Sequence, residues 1–454
     1  MSNVSKRTVS GKVGIVPTLR FEDQSLTSFA GLVVFQKLFN QLDLKQQLYH
    51  CFSHLPRRRY GHHTVILLLI VHLLLGYRDL RDCRYYRDDE MVKRLLGLKR
   101  LPEVSTVSRS LASADNLSVD RLRRLNRKLV LEHLNIFCAA RLTLDFDGTV
   151  VGTGRHAEGA AIGFNKQKKG QRSYYPLFCT VAQTAQVFDL HHRPGNVHDM
   201  NGAKTFINSC LTTIACSLPS ARLETRMDSA FYSKDIIDML DAAGVEFTTS
   251  VPFTRYPVLK NKVESRRRWR KIDAELSYFE DDWKPDSWNC RYRFLFIRRQ
   301  VNIKRRTPLQ LDLFEPRDQG YEYKVIVTNK RLRPGTVVAF HEGRGAQEAV
   351  FGELKSQCQM DHVPVTTRVG NQLFMGAAIL VHNLTRQLQM QADRPVRKTT
   401  AKRSALWTFK QVNTLRRNII QRAGRLVRPQ GKLVLSMSRN PAVEQEILHY
   451  LSVA

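Results

Sequence analysis

The chain has 454 residues, with 72 Lys and Arg against 41 Asp and Glu, and a formal net charge of +31. A surplus of that size repels itself unless a polyanion neutralises it, and cations spread along a whole chain favour nucleic acid over a membrane surface. A hydrophobic share of 43% excludes wholesale disorder at this length, and eight cysteines without a CxxC pair argue against zinc or redox chemistry and for buried thiols in a reducing compartment.

The first eighteen residues lack the apolar core of a signal peptide, and the most hydrophobic run, TVILLLIVHLLLG at 64–76, is too short to span a bilayer. It predicts a core helix in a cytoplasmic protein without membrane contact. Helical periodicity holds through 25–135, so residues 1–138 read as a helical N-terminal domain. Within it, LPEVSTVSRSLASAD at 101–115 carries Ser105 and Thr106 as caps and presents Ser108 and Arg109, like the second helix of a helix-turn-helix; a capped surface helix is the other reading.

At Arg141 the period changes to two, with Leu142, Leu144 and Phe146 on one face and Thr143, Asp145 and Asp147 on the other. Strands follow at 173–183 and 186–192, a helix at 200–214, a strand at 223–230, a helix at 233–243 and a strand at 245–252. Three strands, helix, strand, helix, strand is the order of an α/β, ribonuclease-H-like core. The alternation then breaks at a basic, Trp-bearing stretch, 255–306, and strand character returns at 321–329. Helices are expected at 348–355 and 371–387, and from Arg394 onward thirteen Lys and Arg face two Glu.

Three acidic settings stand out. Asp145 and Asp147 leave the same strand face, Asp228 ends a second strand in ETRMDSAFY, and Glu348 opens a helix. Each alone reads as a solvated carboxylate or a cap. Together, in so basic a chain, they suggest oxygen ligands for two divalent ions acting on a phosphodiester. Arg344, Glu348 and Lys355 share nearly one helix face, which sets cations for phosphate on either side of a carboxylate for metal; ordinary solvated charge pairs, Glu353 among them, are the competing reading.

The motifs LDFDGTVVGTG, HHRPGN, RMDSAFY and RGAQEAVFGELK, in this order, resemble the DDE transposases of bacterial insertion sequences, in the class with a Y-R-E-K signature and most closely the family numbered thirteen-eighty. The resemblance implies Asp147, Asp228 and Glu348 as catalytic metal ligands, with Asp145 open as an alternative first ligand. It implies Mg2+ as two ions, with Mn2+ able to substitute. It also implies double-stranded DNA as partner, both element ends and target, cut and joined by a homodimer at the nucleoid, with no small-molecule substrate. Arg344 and Lys355 carry over as phosphate contacts; His341 stands where the signature tyrosine belongs and could still donate to a phosphate. The implied layout is a core at 139–252 and 321–390, a β-rich insertion at 253–320 and a basic C-terminal arm at 391–454, the arm or the N-terminal helices reading the ends. In the insertion Arg268, Trp269 and Arg270 are DNA-contact candidates, Trp269 as a stacking residue, against a Trp packed in the insertion's own core. A catalytically silent DNA-binding regulator is the alternative function. His191, His192 and His198, and Tyr174, Tyr175 and Lys166, Lys168 and Lys169 of the first hairpin, read more plainly as turn and surface residues.

Overall fold

The computed structural model describes residues 16, 18–21, 24–154, 156–163, 168–198, 200–288, 290–300 and 320–453. Lys166 and the stretch 301–319 of the insertion lie outside them. The centre is a nine-stranded mixed sheet built from β1 (Arg141–Gly148), β2 (Leu177–Val181), β3 (Gln186–His191), β4 (Arg222–Met227), β5 (Glu246–Val251), β6 (Arg270–Lys271), β7 (Leu276–Asp281), β8 (Arg293–Gln300) and β9 (Tyr321–Thr328). Their order is β6-β7-β8-β9-β5-β4-β1-β2-β3. β1, β4 and β5 run parallel, and all other neighbours are antiparallel. Along the chain β1, β2, β3, a helix at 203–217, β4, a helix at 234–242 and β5 follow one another as expected.

Residues after 252 were expected as an inserted subdomain. Within that stretch the described strands β6, β7 and β8 continue the main sheet beyond β9. The reason is β9's second edge, whose backbone donors and acceptors need partners and find them along the full length of β8.

Fourteen helices accompany the sheet among the described residues: α1 (Leu32–Gln41), α2 (Leu44–Phe52), α3 (His62–Leu75), α4 (Glu90–Leu96), α5 (Val104–Ala112), α6 (Asn116–Phe137), α7 (Ala203–Ser217), α8 (Lys234–Ala242), α9 (Pro257–Ser265), α10 (Pro334–Glu342), α11 (Ala346–Ser356), α12 (Arg368–Ala392), α13 (Val412–Leu415) and α14 (Pro441–Val453). The apolar run predicted as a core helix is α3, apolar all round and buried almost throughout, as a helix without a polar stripe must be. No helix among the described residues is long and apolar enough to cross a membrane. α3 packs on α2 and α12, and one apolar cluster joins α1 to α6 with α12 and the segment 412–420. Ser105 and Thr106, expected as caps, lie inside α5, while Arg109 is exposed as expected. All eight cysteines are free, but Cys138, Cys216 and Cys290 are exposed rather than buried.

One sheet face, with Leu142, Leu144, Phe146 and Phe247, packs beneath α6, α7 and α8. The opposite face of β1 and β4 is polar, and it too is buried. Glu224, with 0% exposure, receives Lys330, Arg141 and Arg403, and accepts from the Thr143 hydroxyl at 3.0 Å. The basic C-terminal segment closes this face rather than trailing as an arm. Arg403 binds Glu224, Trp407 packs against Phe137, and Arg416 donates to the carbonyls of Leu73, Leu74 and Gln357.

Burial pushes the Glu224 carboxyl up, but hydrogen bonds from Arg403 and Lys330 outweigh it and hold the group at about 2. In the unfolded chain a Glu titrates near 4.3. Between those values the unfolded chain binds more protons, so stability is present above the unfolded pKa and falls as pH drops toward 2. We expect a loss of about 3 kcal/mol from this group between pH 5 and pH 2. Urea unfolding across that range checks it: Glu224→Gln should flatten the dependence, and an equally steep curve in the variant would place its origin elsewhere.

Candidate active site

β1 and β4 lie side by side in register, with Asp145 opposite Arg226 and Phe146 opposite Met227. In a parallel pair such neighbours share a face, so Asp145 and Arg226 meet, and one step past Phe146 and Met227 come Asp147 and Asp228. Arg226, 0% exposed, forms a two-pronged ion pair with Asp145, Nε to Oδ1 at 2.6 Å and Nη2 to Oδ2 at 2.7 Å. Its Nη1 donates to the carbonyls of Phe340 and Lys402. Burial pushes the Asp145 carboxyl up, against the pull of Arg226. Both Asp145 oxygens are therefore committed to the interior. Gly343 permits this closure, because a Cβ there would stand 2.0 Å from the Lys402 carbonyl oxygen and 2.1 Å from Arg226 Nη1.

Asp147 and Asp228 sit at the carboxyl ends of their strands, where open α/β sheets place their ligands. Both are partly accessible. Asp147 Oδ1 accepts from the Gly148 amide at 2.8 Å, and Oδ2 takes Arg344 Nη1 at 3.0 Å. Asp228 Oδ1 accepts from the Ala230 amide at 2.9 Å, capping the short helical turn Ser229–Phe231. Arg344 lies on the turn Gly343–Gly345 that joins α10 to α11. The first turn of α11 is tied to β1 by Gln347, whose Nε2 donates to the Asp145 carbonyl at 3.1 Å. Glu348, the next residue, is exposed, and Lys355 is half-buried two turns on. Burial lowers the Lys355 pKa. Glu353, weighed above as a solvated surface charge, is buried. It pairs with Arg386 of α12 and accepts from the Val412 amide, locking α11 to the core.

The sequence matches the family described as Transposase DDE domain group 1 over residues 16–453. The chain belongs to the DDE transposases. The enzyme therefore cleaves DNA and transfers the cut strand, and its chemistry uses a divalent metal. Among solved structures, the transposase is similar to the piggyBac transposase synaptic complex with hairpin DNA, at 9% identity and a TM-score of 0.41, over 88% of this chain and 82% of that one. It is also similar to the Mos1 transposase paired-end complex with left transposon end, at 11% identity and a TM-score of 0.19, over 42% of this chain and 59% of that one. The Mos1 mariner paired-end complex with Mn matches over the same shares at a TM-score of 0.17. No curated protein matches the sequence.

The transposase's carboxylate oxygens suit a hard divalent cation, and the neighbouring Asp147 and Asp228 fit as a pair. Glu348 does not converge with them: among the described residues no three His, Cys, Asp or Glu side chains stand close enough to hold one ion. Arg344 occupies one oxygen of Asp147, so a metal and the Arg344 guanidinium compete for it.

Two expectations need correction. His341, offered as a phosphate donor, is 1% exposed, with its ring nitrogens at 2.8 Å from the Ser250 hydroxyl and 3.0 Å from that of Thr248. Burial pushes its pKa well below the usual value. The neutral ring seats α10 on β5. Trp269 packs edge-on against Phe279 at 4.8 Å and lies under the Arg298 guanidinium at 4.8 Å, with its indole N–H on the Arg266 carbonyl. That is the packed alternative. Arg268 and Arg270 beside it are exposed. Arg226 and Gln347, which set the site's geometry, were missed; Arg226 had a signal, standing two residues before Asp228 as Asp145 stands two before Asp147.

Proposed function

We propose that the transposase moves an insertion sequence by cut-and-paste, using a ribonuclease-H-like core in which Asp147 and Asp228, joined by Glu348 once DNA and metal draw it to them, hold two Mg2+ ions, with Mn2+ able to replace them. The observation that carries the reading is the placement of Asp147 and Asp228 side by side at the carboxyl ends of β1 and β4, with Arg344 of the Gly343–Gly345 turn on Asp147. The five-strand order β3-β2-β1-β4-β5 supports the core assignment. The spacing of Arg344, Glu348 and Lys355 supports membership of the Y-R-E-K class and of the family numbered thirteen-eighty, with His341 in the tyrosine's place.

Bound divalent ions would supply activation of the attacking oxygen and charge relief at the leaving oxygen. The chain's own part is placement. Asp147 and Asp228 would hold the ions against which the reacting phosphate is placed, over the strand ends. Arg344, once it leaves Asp147, pairs with a phosphate oxygen beside the scissile bond, and Lys355 binds the backbone further along. Water attacks the phosphorus and breaks the P–O3' bond at the element's end, and the freed 3'-hydroxyl then attacks a second phosphodiester, whose own 3'-oxygen leaves as a hydroxyl, without a covalent enzyme intermediate. Two ends must be held together, so the working unit is a homodimer on DNA at the nucleoid.

A pre-cleaved end oligonucleotide with a free 3'-hydroxyl, incubated with a target plasmid and Mg2+, tests the reading. Covalent joining that stops on chelation is the expected outcome. Cleavage without joining marks a nuclease, and end binding without either reaction marks a regulator.

A further inference from the structure

On β9, Ile326 pairs with Ser250 and Thr328 with Thr248 across the junction with β5. Directly opposed residues share a face, so Lys324, two before Ile326, lies on the face of Ser250, Thr248, Arg226 and Asp145. β9 runs antiparallel to β5 and its pairing with β5 stops at Val325, opposite Val251. Its first half therefore projects past the carboxyl ends of β1, β4 and β5, the end at which Asp147 and Asp228 stand. Lys324 shares both a face and an end with the two aspartates, although 177 residues separate it from Asp147 in sequence.

Between this projecting half of the β8–β9 pair and α10 lies a groove of about 560 Å³. Its floor is apolar, with Ile297, Ile326 and Val338, and its rim carries Arg299, Lys324, Arg344 and Lys402 against Glu322 and Glu342. Arg299 is paired with Glu342 and Arg344 with Asp147. Lys324 makes no ion pair among the described residues; partial burial of its ammonium in the groove and the neighbouring Arg344 lower its pKa, and Glu342, Arg299 and Asp228 also lie within its electrostatic reach.

We propose that Lys324 is a substrate-binding residue, holding a backbone phosphate of the DNA strand that runs from the Asp147–Asp228 site into this groove. The inference rests on the two aspartates marking the site of cleavage. An ammonium on a strand that overhangs a cluster of carboxylates offsets their repulsion of an incoming polyanion and gives sequence-independent affinity. The Arg344, Glu348 and Lys355 spacing does not contain this residue, because it stands on β9, two strands from β4, and reaches the site only through register.

The test uses the full-length protein and a duplex carrying the element's end with flanking sequence, in which each phosphate near the cleaved bond is replaced in turn by a neutral methylphosphonate. Lys324→Ala is expected to weaken binding about tenfold and to lower the salt slope by about one, and Lys324→Arg to restore it. One or two methylphosphonate positions should cost the wild type affinity and cost Lys324→Ala none. Unchanged affinity in Lys324→Ala, or a variant as sensitive as the wild type at every position, would overturn the proposal. Lys324→Gln, which keeps the aliphatic stem, serves if the alanine variant melts early. A wild type that binds the end no better than random DNA would instead sink the reading of end cleavage, and this role with it.

Discussion

Replacing Arg226 with methionine is expected to lower the stability of the chain by about 3–5 kcal/mol, a large share of what a folded domain has to lose. The guanidinium lies wholly inside, held by both oxygens of Asp145 and by two backbone carbonyls. Removing it leaves a buried carboxylate with no counter-charge and two buried acceptors with no donor. Asp145→Asn should cost a similar amount by stranding the cation. The double variant Asp145→Leu with Arg226→Met should recover most of the loss, since a buried pair replaced as a unit by apolar groups is close to neutral. Urea unfolding of the three variants measures this. A single-variant cost below about 1 kcal/mol would mean that water reaches the pair.

Asp147→Asn should do the reverse, leaving stability within about 1 kcal/mol and reducing cleavage about a thousandfold, equivalent to about 4 kcal/mol of transition-state stabilisation. Asp147 is partly accessible at a strand end, and its partner Arg344 sits on a turn with access to solvent. The substitution releases Arg344 for phosphate, so affinity for duplex DNA should hold or rise. Single-turnover nicking of an end duplex, alongside a binding curve, separates the two effects. An Asp147→Asn protein that nicks at the wild-type rate would return the first catalytic carboxylate to Asp145.

The choice between Asp145 and Asp147 shows where the sequence stops informing. Alternation in LTLDFDGT places both carboxylates on one face, and that is what the strand has. What separates them is the neighbour across the sheet, 81 residues away in β4: Arg226 opposite Asp145, and Asp228 beside Asp147. Period-two reading reports the face of a strand but not its partner, so a polar face looks wet when α10 and the segment around Lys402 in fact bury it. The same limit hid the C-terminal segment's role. Its cations look alike in sequence, whereas Arg403 and Arg416 turn inward to Glu224 and to buried carbonyls and Arg394, Arg397 and Lys398 stay exposed. His341 and Trp269 were singled out by position and context, yet each is held by partners distant in sequence or by packing that only the fold reveals. The elements of the core were legible because their periods are long and clean; the placement of Lys324 was not, because it depends on how far one strand overhangs another.

The most direct test of the central claim is cleavage of a supercoiled plasmid carrying the element, with Mg2+, by wild type, Asp228→Asn and Glu348→Gln. The account predicts that wild type releases the element while both variants bind its ends and leave the plasmid intact. A Glu348→Gln protein that releases the element as fast as the wild type would contradict it, showing that the exposed carboxylate at the start of α11 takes no part in the chemistry.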